Sequence, residues 1–301
     1  VKLLKVHQVE NSNYLFVDLE ISKAAKIGTM PIRFIKKGEK TIVHNFSIEA
    51  KSSANNRVSG VNNTDLIYQI MPDRFANGDK NNDVVKGMRE TKFSRDSMYY
   101  RHGGDLQGII NHLDYVKDLG ATAIWLTPVL ENNMANASYH GYAITDHYKI
   151  DPRFGTNELY KEFVEKCHQN GLKVVKDIIH NHFGDQHWTI RDLPFKDWVH
   201  QWPTFTQTTF DPYASETDKK QMLDGWFVQS MPDLNQENSF VQNYITQHVI
   251  WWVEYTGLDG LRLDTYPYNY LPYMKEWAER MKLEYPNLSI FDCGSTVNRI
   301  A

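Results

Sequence analysis

Apolar and polar residues alternate one by one through the first fifty positions of the chain. Leu3–Val9, Tyr14–Ser22, Met30–Ile35 and Thr41–Ala50 all carry this period between turns rich in Gly, Asn and Lys. A two-residue period marks strands with one buried face. Four of them predict a partial β-sandwich over residues 1–60, and the Ser- and Asn-rich stretch Lys51–Asn63 reads as a linker. The alternative is a strand extension of the domain that follows.

From Asp65 the period changes. Short apolar runs at Leu66–Met71, Ala121–Leu126, Lys173–Ile179, Gly260–Asp264 and Ser289–Phe291 predict strands. Between them, Leu106–Leu119, Asn157–Asn170, Ser239–Tyr255 and Leu271–Glu284 have helical spacing. The joins from helix to strand pass through Gly120, Gly171, Gly257 and Asn287, residues suited to ending a helix. Alternating β and α elements predict parallel strands covered by helices, an α/β sheet or barrel over residues 61–301. The loop-rich stretch at about 183–235, dense in Trp, Pro and Asp, breaks the rhythm as an insertion after the third strand.

Composition narrows the possibilities. Apolar residues at 41% and charged residues at 23% suit a globular chain, and the net charge of −4 argues against a nucleic-acid partner. No apolar run approaches membrane-spanning length. Cys167 and Cys293 lie in apolar surroundings and read as buried free thiols. The chain starts at Val1, so a targeting peptide cannot be judged from its first residues.

Chemically active residue types gather where these strands end, the end at which an α/β barrel builds its site. One strand runs out as Asp177-Ile-Ile-His-Asn-His182, another as Arg262-Leu-Asp264. An Arg two residues before an Asp on one strand face keeps that acid ionised, as a nucleophile requires. A structural ion pair closing the strand end explains the spacing equally well.

Longer strings decide more. Gly257-Leu-Asp-Gly-Leu-Arg-Leu-Asp264 resembles the nucleophile segment of the α-amylase superfamily, glycoside hydrolase family 13. Asp177–His182 resembles its third-strand motif, and Met231-Pro-Asp-Leu-Asn235 the short motif near the end of its inserted domain. Tyr139-His-Gly-Tyr142 and Ile150-Asp-Pro-Arg-Phe-Gly155 are similar to its second-strand region. The opening Tyr68-Gln-Ile-Met-Pro-Asp-Arg-Phe-Ala-Asn-Gly-Asp79 is similar to the neopullulanase and cyclomaltodextrinase branch, which carries an N-terminal β-sandwich. The resemblance implies a partial (β/α)8 TIM barrel and a retaining hydrolase of α-1,4-glucosidic bonds in starch, pullulan or cyclodextrin.

It also implies roles. Asp264 takes the nucleophile position and Arg262 the residue that orients it. Asp177 and His182 line the subsite of the reacting glucose, and Tyr142 is the ring on which that sugar stacks. A structural Ca²⁺ is implied at Asn77, Asp79, Asn82 and Asp83 together with Gly103 and Asp105; hard oxygens crowded in one loop suit this cation. Trp188, Trp198, Trp202 and Trp226 of the insertion are either sugar-stacking surfaces or its own small core. His140 and His147 read as loop residues.

Two departures from the family pattern qualify the expectation. Retaining hydrolysis needs a second carboxyl group about 5–5.5 Å from the nucleophile. The family places it in a Gly-Glu pair after the fifth strand. This chain reads Phe291-Asp-Cys-Gly294-Ser295-Thr-Val-Asn298, with Ser295 at that position. Only five barrel strands are countable, and about 184 residues remain outside the insertion against roughly 250 for eight units. The chain is therefore expected to be an internal piece of a larger enzyme, with the remainder supplied by further sequence, a homodimer partner or a complementing chain. A non-catalytic α-glucan-binding pseudoenzyme or inactive fragment is the alternative. The expected setting is periplasmic or secreted, with a cytoplasmic one also open.

Overall fold

A computed structural model describes residues 1–49, 58–201 and 213–292. The chain divides into two compact units, Val1–Ser53 and Ala54–Ala301. The first is sandwich-like and built from antiparallel hairpins. β1 (Lys2–Gln8) pairs with β2 (Leu15–Glu20), and β3 (Gly28–Phe34) pairs with β4 (Ile42–Ile48). A bulge between Leu3 and Lys5 interrupts the first ladder. None of the described residues 1–49 is buried, and Leu3, Val6, Leu15 and Ile42 are all exposed.

The second unit is a partial (β/α) barrel. Its five parallel strands are β5 (Ile67–Ile70), β6 (Ala123–Leu126), β9 (Lys173–Ile179), β10 (Gly260–Asp264) and β11 (Ser289–Asp292). They lie side by side in chain order, with a small antiparallel pair, β7 (Leu130–Glu131) and β8 (Asp146–Ile150), formed between β6 and β9. Chain-order neighbours mean that every crossover advances by one strand, the path of a barrel wall. The short helix α1 (Pro72–Phe75) follows β5, then α2 (Leu106–Ile110) and α3 (Leu113–Asp118) precede β6. Next come α4 (Asn157–Gln169), α5 (Trp188–Arg191) and α6 (Glu216–Asp224), the last two in the insertion. α7 (Ser239–Thr256) and α8 (Leu271–Glu284) flank β10.

Local chemistry sets these boundaries. The Thr156 hydroxyl accepts the Leu159 N–H at the start of α4, and the Asn238 side chain accepts from Phe240 to open α7. Gly257 ends α7 at φ 79°, a left-handed conformation that favours glycine. α4 buries Tyr160, Phe163, Val164 and Cys167, while α7 buries Val241, Ile245, Val249, Trp252 and Val253. β9 is buried along almost its whole length because helices cover one face and the barrel interior the other. Among the described residues no helix is long and apolar enough to cross a membrane.

Three expectations need correction. The helix predicted over Leu106–Leu119 is two helices. The His112 ring Nδ1 lies 2.7 Å from the Gly108 carbonyl, and the His112 backbone N–H donates to Ile109 O instead, so the ladder breaks there. The stretch Lys51–Asn63 is not a linker over its described part. The Ser59 N–H and hydroxyl both donate to Asp259, and Val61 exchanges hydrogen bonds with the Ser289 hydroxyl. Gly60, at φ 70°, leaves no room for a Cβ, which would stand 2.3 Å from Asn287 O. His147 is no loop residue; it sits fully buried in β8.

Candidate active site

The sheet register places the first part of the site. β10 and β9 run in parallel with Arg262 opposite Asp177 and Asp264 opposite Ile179. One Nη1 of Arg262 therefore reaches both acids, at 3.1 Å from Asp177 Oδ1 and 2.7 Å from Asp264 Oδ1. The guanidinium lies 5.0 Å from the centre of the Trp125 ring. Trp125, from β6, donates its indole N–H to Asp177 Oδ2 at 3.0 Å, and the Tyr142 hydroxyl donates to the same oxygen at 3.3 Å.

Tyr142 is held by a tight turn. Gly141, at φ 84°, approaches so closely that a Cβ would stand 2.0 Å from Pro128 O. The Tyr142 N–H donates to the His140 ring, and the two rings stack at 5.8 Å. His182 is buried after β9, its ring 5.3 Å from Phe227 and its Nε2 without a hydrogen-bond partner. Its backbone pairs with Asp233, which joins the motif at residues 231–235 to the third-strand motif.

Burial dominates the electrostatics of Asp177. Burial pushes Asp177 up to about 7; the Asp264 charge adds to this and Arg262 opposes it. The side chain of Asp177 is fully buried, whereas that of Asp264 keeps 14% exposure. Burial pulls His182 down to about 4 against the attraction of Asp264, so this imidazole is neutral and can donate one N–H. Thr265, directly after Asp264, is β-branched yet sits at φ 50°. Residues held in sparsely populated backbone conformations cluster at functional sites.

Asp264, Arg262, Asp177 and Tyr142 thus form one bonded cluster, and His182 feels the charge of Asp264. Trp125 and His140 belong to the cluster too. Trp125 was missed because it is an apolar strand residue with no motif around it. His140, expected in a loop, ends the short 3-10 turn Ser138–His140, where its ring accepts the Tyr142 N–H. Ser295, Cys293 and Trp202 fall outside the described residues. Trp198 is buried in the insertion, Trp226 donates to His200 O at 2.7 Å, and Trp188 is 48% exposed.

The loop after β5 gathers a second set. The Asp105 carboxylate accepts from the N–H groups of Gly78, Asp79 and Gly108 and from the Asn82 amide. The Asn77 amide donates to Asp83 at 2.6 Å, and Asp79 accepts from Asn81. Gly103, at φ 80°, packs where a Cβ would meet Asp83 Oδ1 at 2.3 Å. Burial raises Asp83, with the Asp105 charge adding to it against the Asn77 hydrogen bond. Asn77 Oδ1 and Asn82 Oδ1 are buried without partners. Among the described residues no three His, Cys, Asp or Glu side chains converge as a metal cluster. A cation here would rest on amide oxygens as much as on carboxylates.

The alpha-amylase catalytic-domain model matches residues 69–294, and the N-terminal cyclomaltodextrinase model matches residues 1–52. This chain belongs to the α-amylase family. A cyclomaltodextrinase of Thermoanaerobacter pseudethanolicus is 39% identical over 66% of this chain and 34% of its own length. Neopullulanase 2 of Thermoactinomyces vulgaris is 35% identical over 66% of this chain and 33% of its own. A solved α-amylase of Geobacillus thermoleovorans, complexed with acarbose, superposes with a TM-score of 0.62 at 36% identity, covering 76% of this chain and 46% of that one. The chain therefore spans about a third of the length of these two curated relatives.

Proposed function

We propose that this chain carries the nucleophile half of a retaining α-glucan hydrolase site. The observation that carries it is Arg262 clamped between Asp177 and Asp264 at the C-terminal ends of adjacent strands. In this reading the Asp264 carboxylate attacks the anomeric carbon, the bond to the leaving oxygen breaks, and a glycosyl ester forms on Asp264. Arg262 holds the attacking carboxylate in place through its 2.7 Å bond to Asp264 Oδ1. The neutral His182 donates to a sugar hydroxyl through its unpartnered ring nitrogen. Tyr142 offers its ring to the apolar face of the sugar. Protonation of the leaving oxygen requires a second carboxyl group beyond these residues.

Ser295 at the family's Glu position favours a second reading, an α-glucan-binding chain without turnover. One pair of measurements separates the two. Calorimetry with acarbose and maltotriose should show saturable binding that Tyr142→Ala weakens at least tenfold. Reducing sugar released from soluble starch or pullulan supports the hydrolase, and binding without release supports the second reading. With neither binding nor release, both fall. The proposed compartment is the periplasm or the exterior, with the cytoplasm as the alternative; fractionation of the source cells decides.

The same reading includes a structural Ca²⁺ on the loop after β5, supported by the two orphaned amide oxygens, Asn77 Oδ1 and Asn82 Oδ1. A cation supplies what those buried oxygens lack. Calcium at about a hundred times its Kd should then stabilise the barrel unit by about 2.7 kcal/mol, a rise on the order of 5 °C in Tm. EDTA should reverse the rise, and Asn82→Leu should abolish it. An unchanged Tm across a calcium titration removes the cation from this loop.

A further inference from the structure

The helix-facing side of β9 holds an unusual group of side chains. Lys176 of β9, His180 just after it, His147 of β8, His187 of the following loop and His248 of α7 are all at most 2% exposed. His147 Nδ1 stands 3.2 Å from His187 Nε2, and the His147 and His248 rings meet edge to face at 4.7 Å. Lys176 Nζ is enclosed by the rings of Trp252 at 4.6 Å and Tyr160 at 5.0 Å. Neither it, His147 Nε2, His248 Nδ1, nor either ring nitrogen of His180 has a hydrogen-bond partner.

The acceptors around the cluster are neutral: the Thr189 and Tyr244 hydroxyls beside His187, and the Tyr244 and Ile245 carbonyls that act weakly against burial at His248. α4 presents Tyr160, α7 presents Tyr244 and Trp252, and α8 presents Tyr273 and Trp277. Asp177, the neighbour of Lys176 on the strand, is the carboxylate whose charge reaches the lysine. The charges acting on the four imidazoles come from one another and from Lys176. Burial, then this mutual repulsion, holds His147 and His180 well below the ordinary range and His187 and His248 at about 3. Burial also lowers Lys176 to about 7.

The group is coupled to the active site by strand geometry. Successive residues of a strand face opposite ways, so Lys176 backs onto Asp177. His180 precedes Asn181 and His182, and its carbonyl accepts from Gln236. The Trp252 indole donates to the His147 carbonyl, fastening α7 to β8.

We infer that this basic cluster is an acid-operated latch, whose protonation parts α7 from β9 and dismantles the glucan site on the strand's other face. The glucan part rests on the reading proposed above. An imidazole in water takes a proton near pH 6.5, and in the closed cluster only far below it. Protons therefore favour the open form, and the stability present above about pH 6.5 is lost as the pH falls toward the folded values. Because several imidazoles gain protons in one opening, the transition is steep. Four protons give a limit of about 10⁴-fold in the opening constant per pH unit.

Hydrogen exchange on the full chain, corrected for intrinsic rates, tests this between pH 7.5 and 5. The opening constant of β9 and α7 should rise at least a hundredfold per unit below pH 6.5, and return to pH 7.5 should restore protection. In the double variant His147→Phe, His248→Phe the slope should fall by about two powers of ten. Should that variant fail to fold, direct titration of the wild type must show at least two protons bound during opening. Protection that is constant down to pH 5, or an opening that takes up no protons, overturns the latch. Acarbose calorimetry at pH 7.5 and 5.5 runs alongside. Absence of binding at pH 7.5 sinks the glucan reading alone, because the exchange result does not depend on it.

Discussion

Replacing Arg262 with methionine is expected to cost about 3–5 kcal/mol of folding stability at pH 8 and, on the proposed glucan reading, to remove acarbose binding. The arginine is the shared cation of Asp177, whose side chain is fully buried, and Asp264. Without it two carboxylates face each other beside the Trp125 ring, and taking one partner from a buried pair leaves an uncompensated charge. Asp177 sets the sign of the pH dependence. Burial raises its folded pKa to about 7 from a usual 3.8, so its ionised form works against folding. That cost is absent below about pH 3.8 and complete above about pH 7. Loss of Arg262 raises the folded value further, so the variant's deficit shrinks as the pH drops. Urea titrations at pH 8 and pH 6, followed by tryptophan fluorescence, compare variant with wild type. All eight tryptophans lie at or after position 125, so the signal reports the barrel unit. Because the histidine cluster is common to both proteins, its own pH dependence cancels in the difference. A deficit of equal size at both pH values would show that Arg262 does not act through Asp177.

Arg153→Leu should destabilise by a similar amount, about 3–5 kcal/mol, although it lies outside the Arg262 cluster. Arg153 Nε and Nη2 bond the two oxygens of Asp151 at 2.8 and 2.7 Å, and Nη2 also donates to Asn132 O. Both side chains are at most 1% exposed. Burial alone would raise Asp151, but the hydrogen bond and charge of Arg153, with help from Arg101, hold it below the usual carboxylate value. A depressed folded pKa contributes stability that is present above about pH 3.8 and lost as the pH falls further. The Arg153→Leu penalty should therefore be largest at neutral pH. Adding Asp151→Asn should recover part of it, since the remaining buried group is then neutral. A double variant no more stable than the single one would refute the account of Asp151 as a stranded charge. The pair fastens the turn from β8 to α4, where the Leu106 N–H docks on Phe154 O and Asp151 N–H on Val129 O.

The two pairs differ in how they could be foreseen. Arg262 and Asp264 stand two apart on one strand, a spacing that announces a shared face from the letters alone. The bond from Arg262 to Asp177 needs the register of β9 against β10, and eighty-five residues separate the partners. Arg153 and Asp151 were visible only as part of a recurrent string; their burial follows from Asn132 and Glu90 folding over them.

Periodicity and turn residues were enough, by themselves, to set the order of the elements, the change from hairpins to alternating β and α, and the insertion. These are local properties, decided by whether neighbouring side chains share a face. Motif strings carried Asp264, Arg262, Asp177, His182 and Tyr142 for the same reason, being runs whose members the strand ends hold together. Only the tertiary structure decided that Trp125 and His140 join them, that residues 58–61 are docked rather than linking, and that one helix breaks at His112. It alone brought Lys176 and four histidines from three elements and a loop into a single buried cluster. Each of these depends on which surfaces meet across long stretches of chain, and contacts of that kind leave no period in the sequence.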